Sequence, residues 1–187
     1  MGSAPALAAS EKSVRYPACE TRTACAQHSV VSVLPVWPPD AARSEEPEGS
    51  GVAVADGHLI ATANHVLGAA KEVFVRTVSG EIFKAKIVLR ELQTDIALLR
   101  VPQRLKPIGL ADPATIGSRA CAIGNSFGLG VSLTCGVVSA TQMSGVGFNR
   151  IEDFVQTDAT VNPGMSGGAL VDEDGELVGM LSAIFTK

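Results

Sequence analysis

The chain has 187 residues and a formal net charge of −4; 46% of its residues are apolar and only 4% aromatic. That length makes one domain of ordinary size or two small fused barrels, and the abundance of Val, Ala, Leu, Ile and Gly suits short strands around tight cores. Its Lys and Arg are scattered, which excludes a basic footprint for DNA or RNA, and no apolar run reaches the roughly 18 residues of a membrane span.

Residues 1–28 read as an N-terminal arm, with no sustained periodicity up to Gln27. Its first ten residues are too short and too rich in small side chains for a complete signal peptide. They read as the start of a shortened chain or as a remnant beside an Ala-x-Ala cleavage site. Alternating and apolar runs then predict strands at 30–34, 51–55, 59–62, 73–77, 82–89 and 96–101, enough for one closed barrel. Between the first two, 35–50 is rich in Pro, Glu and Ser and reads as an exposed loop. Residues 65–70 read as a single helical turn.

Residues 102–113, with three prolines, bridge to a second set of strands at 120–123, 132–141, 154–157, 169–172 and 177–184, with a hairpin turn over 172–175. That is five strands where a matching barrel needs six. The four cysteines contain no Cys-x-x-Cys pair, so no structural zinc site is expected. Cys121 and Cys135 stand equally far on either side of Gly128 in a glycine-rich turn. If the flanking strands form a hairpin, the two face each other across it, either as a disulfide or as buried free thiols. Cys19 and Cys25 present the same alternatives around a small loop. The segment Gly124-Asn125-Ser126-Phe127-Gly128-Leu129-Gly130 lacks the Gly-Lys-Ser/Thr ending of a phosphate loop.

The segment from Asn162 to Gly168 is the most informative. Ser166 stands among glycines after an Asn-Pro-Gly turn, a setting that presents a hydroxyl. Gly164 can turn its amide inward without a Cβ clash, so the amides of Gly164 and Ser166 are candidate donors to a developing oxyanion. Upstream, His65 stands where an apolar strand ends. Asp95 heads a wholly apolar strand, where a carboxylate needs a partner such as an imidazole N–H. The reading that unites them is nucleophilic catalysis. Ser166 attacks a carbonyl, His65 takes and returns the proton, and Asp95 fixes the imidazole tautomer. His28 and His58 read as surface residues, and Asp158 as a loop-shaping hydrogen-bond partner.

The segments GSGVAV, DGHLIATANHV, TDIALLRV, AIGNSFGLG, GVVSA and QTDATVNPGMSGGALVDEDGELVG, in that order, resemble the HtrA/Deg family of chymotrypsin-fold serine proteases over roughly 29–184. The resemblance implies an all-β, double six-stranded β-barrel within 29–187. The first barrel would span 29–108 and the second 114–187, the latter short of its last strand, with a peptide-binding PDZ domain usual beyond it. It implies cofactor-free and metal-free hydrolysis of unfolded or extended polypeptides, with His65, Asp95 and Ser166 as triad and Gly164 and Ser166 as oxyanion donors. An exported, periplasmic quality-control or regulatory role follows, as does a homotrimer with the arm as contact and Tyr16 as anchor. In such a fold Leu181, Ser182 and Ala183 form the edge that pairs with substrate. Thr160, Val161, Leu181 and Ile184 line an uncharged S1 pocket suited to Val, Ala or Leu at P1. Two positions depart from the pattern. Met165 replaces the usual Asn, removing a polar anchor of the nucleophile loop, and Ser126 replaces a proline. The first of these, together with the missing last strand, keeps open the alternative of a latent or degenerate, peptide-binding module on the same fold.

Overall fold

A computed structural model describes residues 19–39 and 48–182. Six strands, β1 (Val30–Val36), β2 (Gly49–Val54), β3 (Leu59–Ala63), β4 (Glu72–Arg76), β5 (Ile82–Glu91) and β6 (Ile96–Arg100), close into a barrel in the order β1-β2-β3-β6-β5-β4. Five more, β7 (Arg119–Asn125), β8 (Val131–Met143), β9 (Phe154–Thr157), β10 (Ala169–Val171) and β11 (Leu177–Met180), form an antiparallel sheet in the order β11-β10-β7-β8-β9. Among the described residues this second sheet is curled but not closed, as expected of a double barrel short of one strand. No described helix is long and apolar enough to cross a membrane.

The period of two along each strand divides the interior into three apolar clusters. Val31 and Val33 of β1 point into the first barrel with Ala53, Ile60, Val73, Val75 and Leu99. Val30 and Val52, on the opposite faces of β1 and β2, meet Cys121, Ile123, Ala169 and Val171 between the two sheets. The alternate residues of β7 and β10, Ala120, Ala122 and Leu170, turn into the second sheet's own core with Val138 and Met165. Because β1, β2, β7 and β10 are buried on both faces, the barrels are held together by a continuous apolar layer. Each fully buried Val, Ile or Leu in it contributes about 1.5–3 kcal/mol relative to exposure.

The structure corrects several expectations. Strand β1 runs on to Val36 through Pro35, which pairs with Val73 beyond the last β1–β2 pair, Val33–Gly49. There the strand has a neighbour on one side only, so a missing N–H is tolerated. The end of the arm is not irregular. Thr21 caps a helix, α1 (Arg22–Ala26), whose Ala26 is buried between the sheets and whose Arg22 reaches Asp174 at 2.6 Å. Five residues are too few to show a helical period, and docking supplies what periodicity cannot. His28 and His58 are half-buried; His58 Nδ1 lies 3.3 Å from the Val101 carbonyl. Strand β11 ends at Met180 and the expected strand does not continue through 181–182; its last residues, 183–184, lie outside the described residues, as does Tyr16. Both cysteine pairs, Cys19–Cys25 and Cys121–Cys135, are disulfides, the second joining directly opposed residues of β7 and β8.

Candidate active site

Strand β3 ends in Ala63, and the chain turns at once into a short helix, α2 (Asn64–Leu67), which lifts His65 out of the barrel wall. The turn is pinned from two sides. Asn64 N–H donates to the Asp95 carbonyl at 2.8 Å. Arg90 of β5 donates to the Asn64 side chain (2.7 Å) and to the Gly68 carbonyl (2.8 Å). Asp95 precedes β6 in a left-handed conformation, φ 59°, which Asp tolerates better than most residues. That conformation lets one carboxylate serve both polar groups of His65. Oδ1 accepts the backbone N–H at 2.8 Å and Oδ2 faces ring Nδ1 at 2.5 Å. An ionised carboxylate only accepts, so Nδ1 carries the proton and Nε2 is the basic face of the ring.

Burial pushes the Asp95 carboxyl upward, but the hydrogen bonds and charge of His65, with the Ser182 hydroxyl at 3.4 Å, outweigh it and hold the group below its usual range. A depressed carboxyl pKa contributes stability that is present above the unfolded value, near 3.9, and lost as pH falls through the lower folded value. Below about pH 4 the wild-type Tm should therefore fall more steeply with acidification than that of Asp95→Asn. Parallel slopes in thermal melts would contradict the ionised pair.

Ser166 comes from the second sheet, on the loop between β9 and β10. Its carbonyl accepts Ser50 N–H at 2.8 Å, and Gly167 N–H donates to the Leu181 carbonyl at 2.6 Å. Gly167 (φ 84°) is wedged against the end of β3. A Cβ there would collide with the Ser50 carbonyl and lie 2.6 Å from Thr62 Oγ1 and 2.8 Å from Ala63 N. The residue after Ser166 thus abuts the residue two before His65, so the segments that carry the nucleophile and base candidates lie side by side. Gly167→Ala should cost about 2–4 kcal/mol from left-handed strain plus steric conflict. An unchanged urea midpoint would refute that packing.

Met165 is fully buried in the second core, and its Sδ accepts Asn162 N–H at 3.4 Å. An apolar plug therefore anchors the loop where a polar side chain was expected. Gly164 is buried at φ 90°, and no described acceptor takes the Ser166 N–H. The Asn125–Gly130 turn supports the loop from below. Phe127 N–H holds the Pro163 carbonyl at 2.8 Å, and the Asn125 side chain bridges Gly130 N–H (2.8 Å) and Glu48 (2.7 Å). Asp158 accepts Val137 N–H at 2.7 Å.

A cleft of about 620 Å³ opens on the second sheet and includes Val161, Leu181 and Ser182 together with Met143, Phe154 and Met180. Thr160 is not among its walls; it is exposed, and its carbonyl accepts the Thr134 hydroxyl at 2.5 Å. Leu181 engages both backbone groups with Gly167 and Gly168, so it reaches the cleft through its side chain. Ser182 directs its hydroxyl to Asp95. Ala183 and Ile184 lie outside the described residues. The exposed Asp153 at the rim is the only charged side chain in the described lining and was not foreseen. Arg90 and Ser50 were also missed. Arg90 has no local signal, whereas Ser50 is a polar residue between two glycines opening an apolar strand.

The family description "Trypsin-like peptidase domain" matches residues 49–180. The chain is 41% identical over 152 residues to the periplasmic pH-dependent serine endoprotease DegQ of Escherichia coli K12, covering 79% of this chain and 33% of that protein. Over 142 residues it is 44% identical to the periplasmic serine endoprotease DegP of Salmonella typhimurium LT2, covering 73% of this chain and 30% of that one. A solved structure of the HtrA-type protease AlgW with tripeptide superposes with a TM-score of 0.78 at 34% identity, covering 85% of this chain and 52% of that one. The chain spans about a third of the length of the curated relatives it matches.

Proposed function

From the premise that this chain belongs to the trypsin-like peptidases, in their HtrA branch, we propose that it is a serine endopeptidase cutting unfolded or extended polypeptides. Ser166 is the nucleophile, His65 the general base and acid, and Asp95 the residue that orients the imidazole. The amides of Gly164 and Ser166 receive the oxyanion. The observation that supports this reading most is the two-point bond from one carboxylate to His65, beside a serine loop wedged against the same strand end. Met165, together with the strand missing from the second barrel, was the ground for a non-catalytic module. Buried as it is, it lends that alternative no support.

The reaction needs no metal or cofactor, since proton transfer and oxyanion stabilisation are supplied by the chain's own groups. The periplasmic relatives and two disulfides support an exported, oxidising location. The HtrA resemblance supports a homotrimer, and the net charge of −4 speaks against nucleic acid as a partner.

Specificity follows from the cleft walls. Val161 and Leu181 favour small or medium aliphatic P1 residues, and a peptide-library profile should be dominated by Val, Ala and Leu. A profile dominated by Arg and Lys would instead make Asp153 the specificity residue. The activity itself is tested with a fluorophosphonate probe, which should label the wild type and neither Ser166→Ala nor His65→Ala. A folded wild type that stays unlabelled would defeat the peptidase reading.

A further inference from the structure

Ser50, at the start of β2 in the first barrel, is completely buried, and every polar group it owns is engaged. Its N–H donates to the Ser166 carbonyl at 2.8 Å, and its carbonyl accepts the Thr62 hydroxyl at 2.6 Å. Its hydroxyl lies 2.7 Å from Asn125 N and 2.8 Å from the Gly164 carbonyl. A backbone N–H can only donate and a carbonyl only accept, so the hydroxyl accepts from Asn125 and gives its single proton to Gly164.

The consequence lies in the peptide planes around the nucleophile. A trans peptide is rigid, so holding its carbonyl fixes the direction of the N–H on the far side. Four successive carbonyls are held. Phe127 N–H takes Pro163, the Ser50 hydroxyl takes Gly164, Gly168 N–H takes Met165 and the Ser50 N–H takes Ser166. Ser50 supplies two of these four, the two that bracket Met165. The other two planes carry the N–H groups of Gly164 and Ser166 and are held directly by Phe127 and Gly168. Ser50 fixes the planes that alternate with them, which limits how far those two can turn about the shared Cα atoms.

We infer that Ser50 is a positioning residue by which the first barrel, through its side-chain hydroxyl, sets the oxyanion loop of the second. The inference rests on the peptidase reading for its kinetic effect but not for its structural one. Gly124 leaves room for this contact, since a Cβ there would stand 3.0 Å from Ser50 Oγ. In Ser50→Ala the backbone bond to Ser166 survives, while Asn125 N–H and the Gly164 carbonyl lose the hydroxyl that joins them.

The test compares wild type, Ser50→Ala and the near-isosteric Ser50→Cys by steady-state kinetics on an extended peptide with aliphatic P1. Hydrogen exchange is measured over 160–168 in the same samples. For Ser50→Ala, kcat per folded molecule should fall about 10- to 100-fold with KM held within about twofold, because donors are misaimed and the binding cleft is untouched. Exchange over 160–168 should quicken while β7 and β8 keep their protection. If Ser50→Ala does not fold, Ser50→Cys, a weaker donor, should show the same pattern to a smaller degree. Unchanged kcat per folded molecule, or unchanged exchange over 160–168, overturns the inference. Should the wild type cleave nothing, the peptidase reading fails by itself, and the exchange comparison still decides whether Ser50 holds the loop.

Discussion

Ser166→Ala is expected to lower kcat on an extended peptide by roughly 10⁴- to 10⁶-fold while leaving the folded structure in place. The size follows from what disappears. Without the hydroxyl no acyl intermediate forms, and what remains is the smaller acceleration from bound substrate and oxyanion donors acting on water. The fold should survive because Ser166 makes its recorded structural bond through its backbone carbonyl, to Ser50 N–H. His65→Ala should fall into the same range. The base and the nucleophile act as one unit, so the double variant should be scarcely slower than either single one. Additive losses, with the double variant slower by the product of the two factors, would mean that the residues serve separate steps. Loss of the acyl-enzyme burst in both single variants, measured by rapid-mixing kinetics, checks the assignment at the step where the hydroxyl acts.

The candidate triad could be picked out because its signals are local. A serine among glycines, a histidine at a strand end and an aspartate before an apolar run each show in a few residues. Most of the strands were legible too, since period-two burial repeats in Val31 and Val33 and again in β7. What the sequence hides is the polar scaffolding that crosses between distant segments. Arg90 reaches Asn64 across 26 positions, and Ser50 reaches Gly164 across 114. No window of sequence holds both ends of such a bond. Met165 misled for a related reason. A lone Met in a polar loop signals a missing anchor only until the core that receives it, Ala122, Val138 and Leu170, is assembled from three other strands. The docked helix α1 escaped notice because its stability comes from the disulfide, the Thr21 cap and the buried Ala26, none of which has a period.

Asp95→Asn should cut kcat about 10⁴-fold although it changes one atom and almost no volume. In the native arrangement both carboxylate oxygens accept, one from His65 N–H and the other from ring Nδ1–H. An asparagine can accept at only one of them. If its oxygen stays with the backbone N–H, its NH2 group faces Nδ1 and can bond only to an unprotonated nitrogen. The ring proton then moves to Nε2, the atom that must take the proton of Ser166, and the base is disabled. If the amide flips, its NH2 faces the His65 backbone N–H, two donors confront each other, and the turn that carries the histidine loosens. The first arrangement costs less, since the Ser182 hydroxyl is placed to accept the second amide hydrogen. Nitrogen-15 NMR of the imidazole should therefore report Nδ1–H in the wild type and Nε2–H in the variant, with KM little altered. A loss of less than about tenfold, or an unchanged tautomer, would remove Asp95 from the mechanism and leave it only the structural task of pinning the turn.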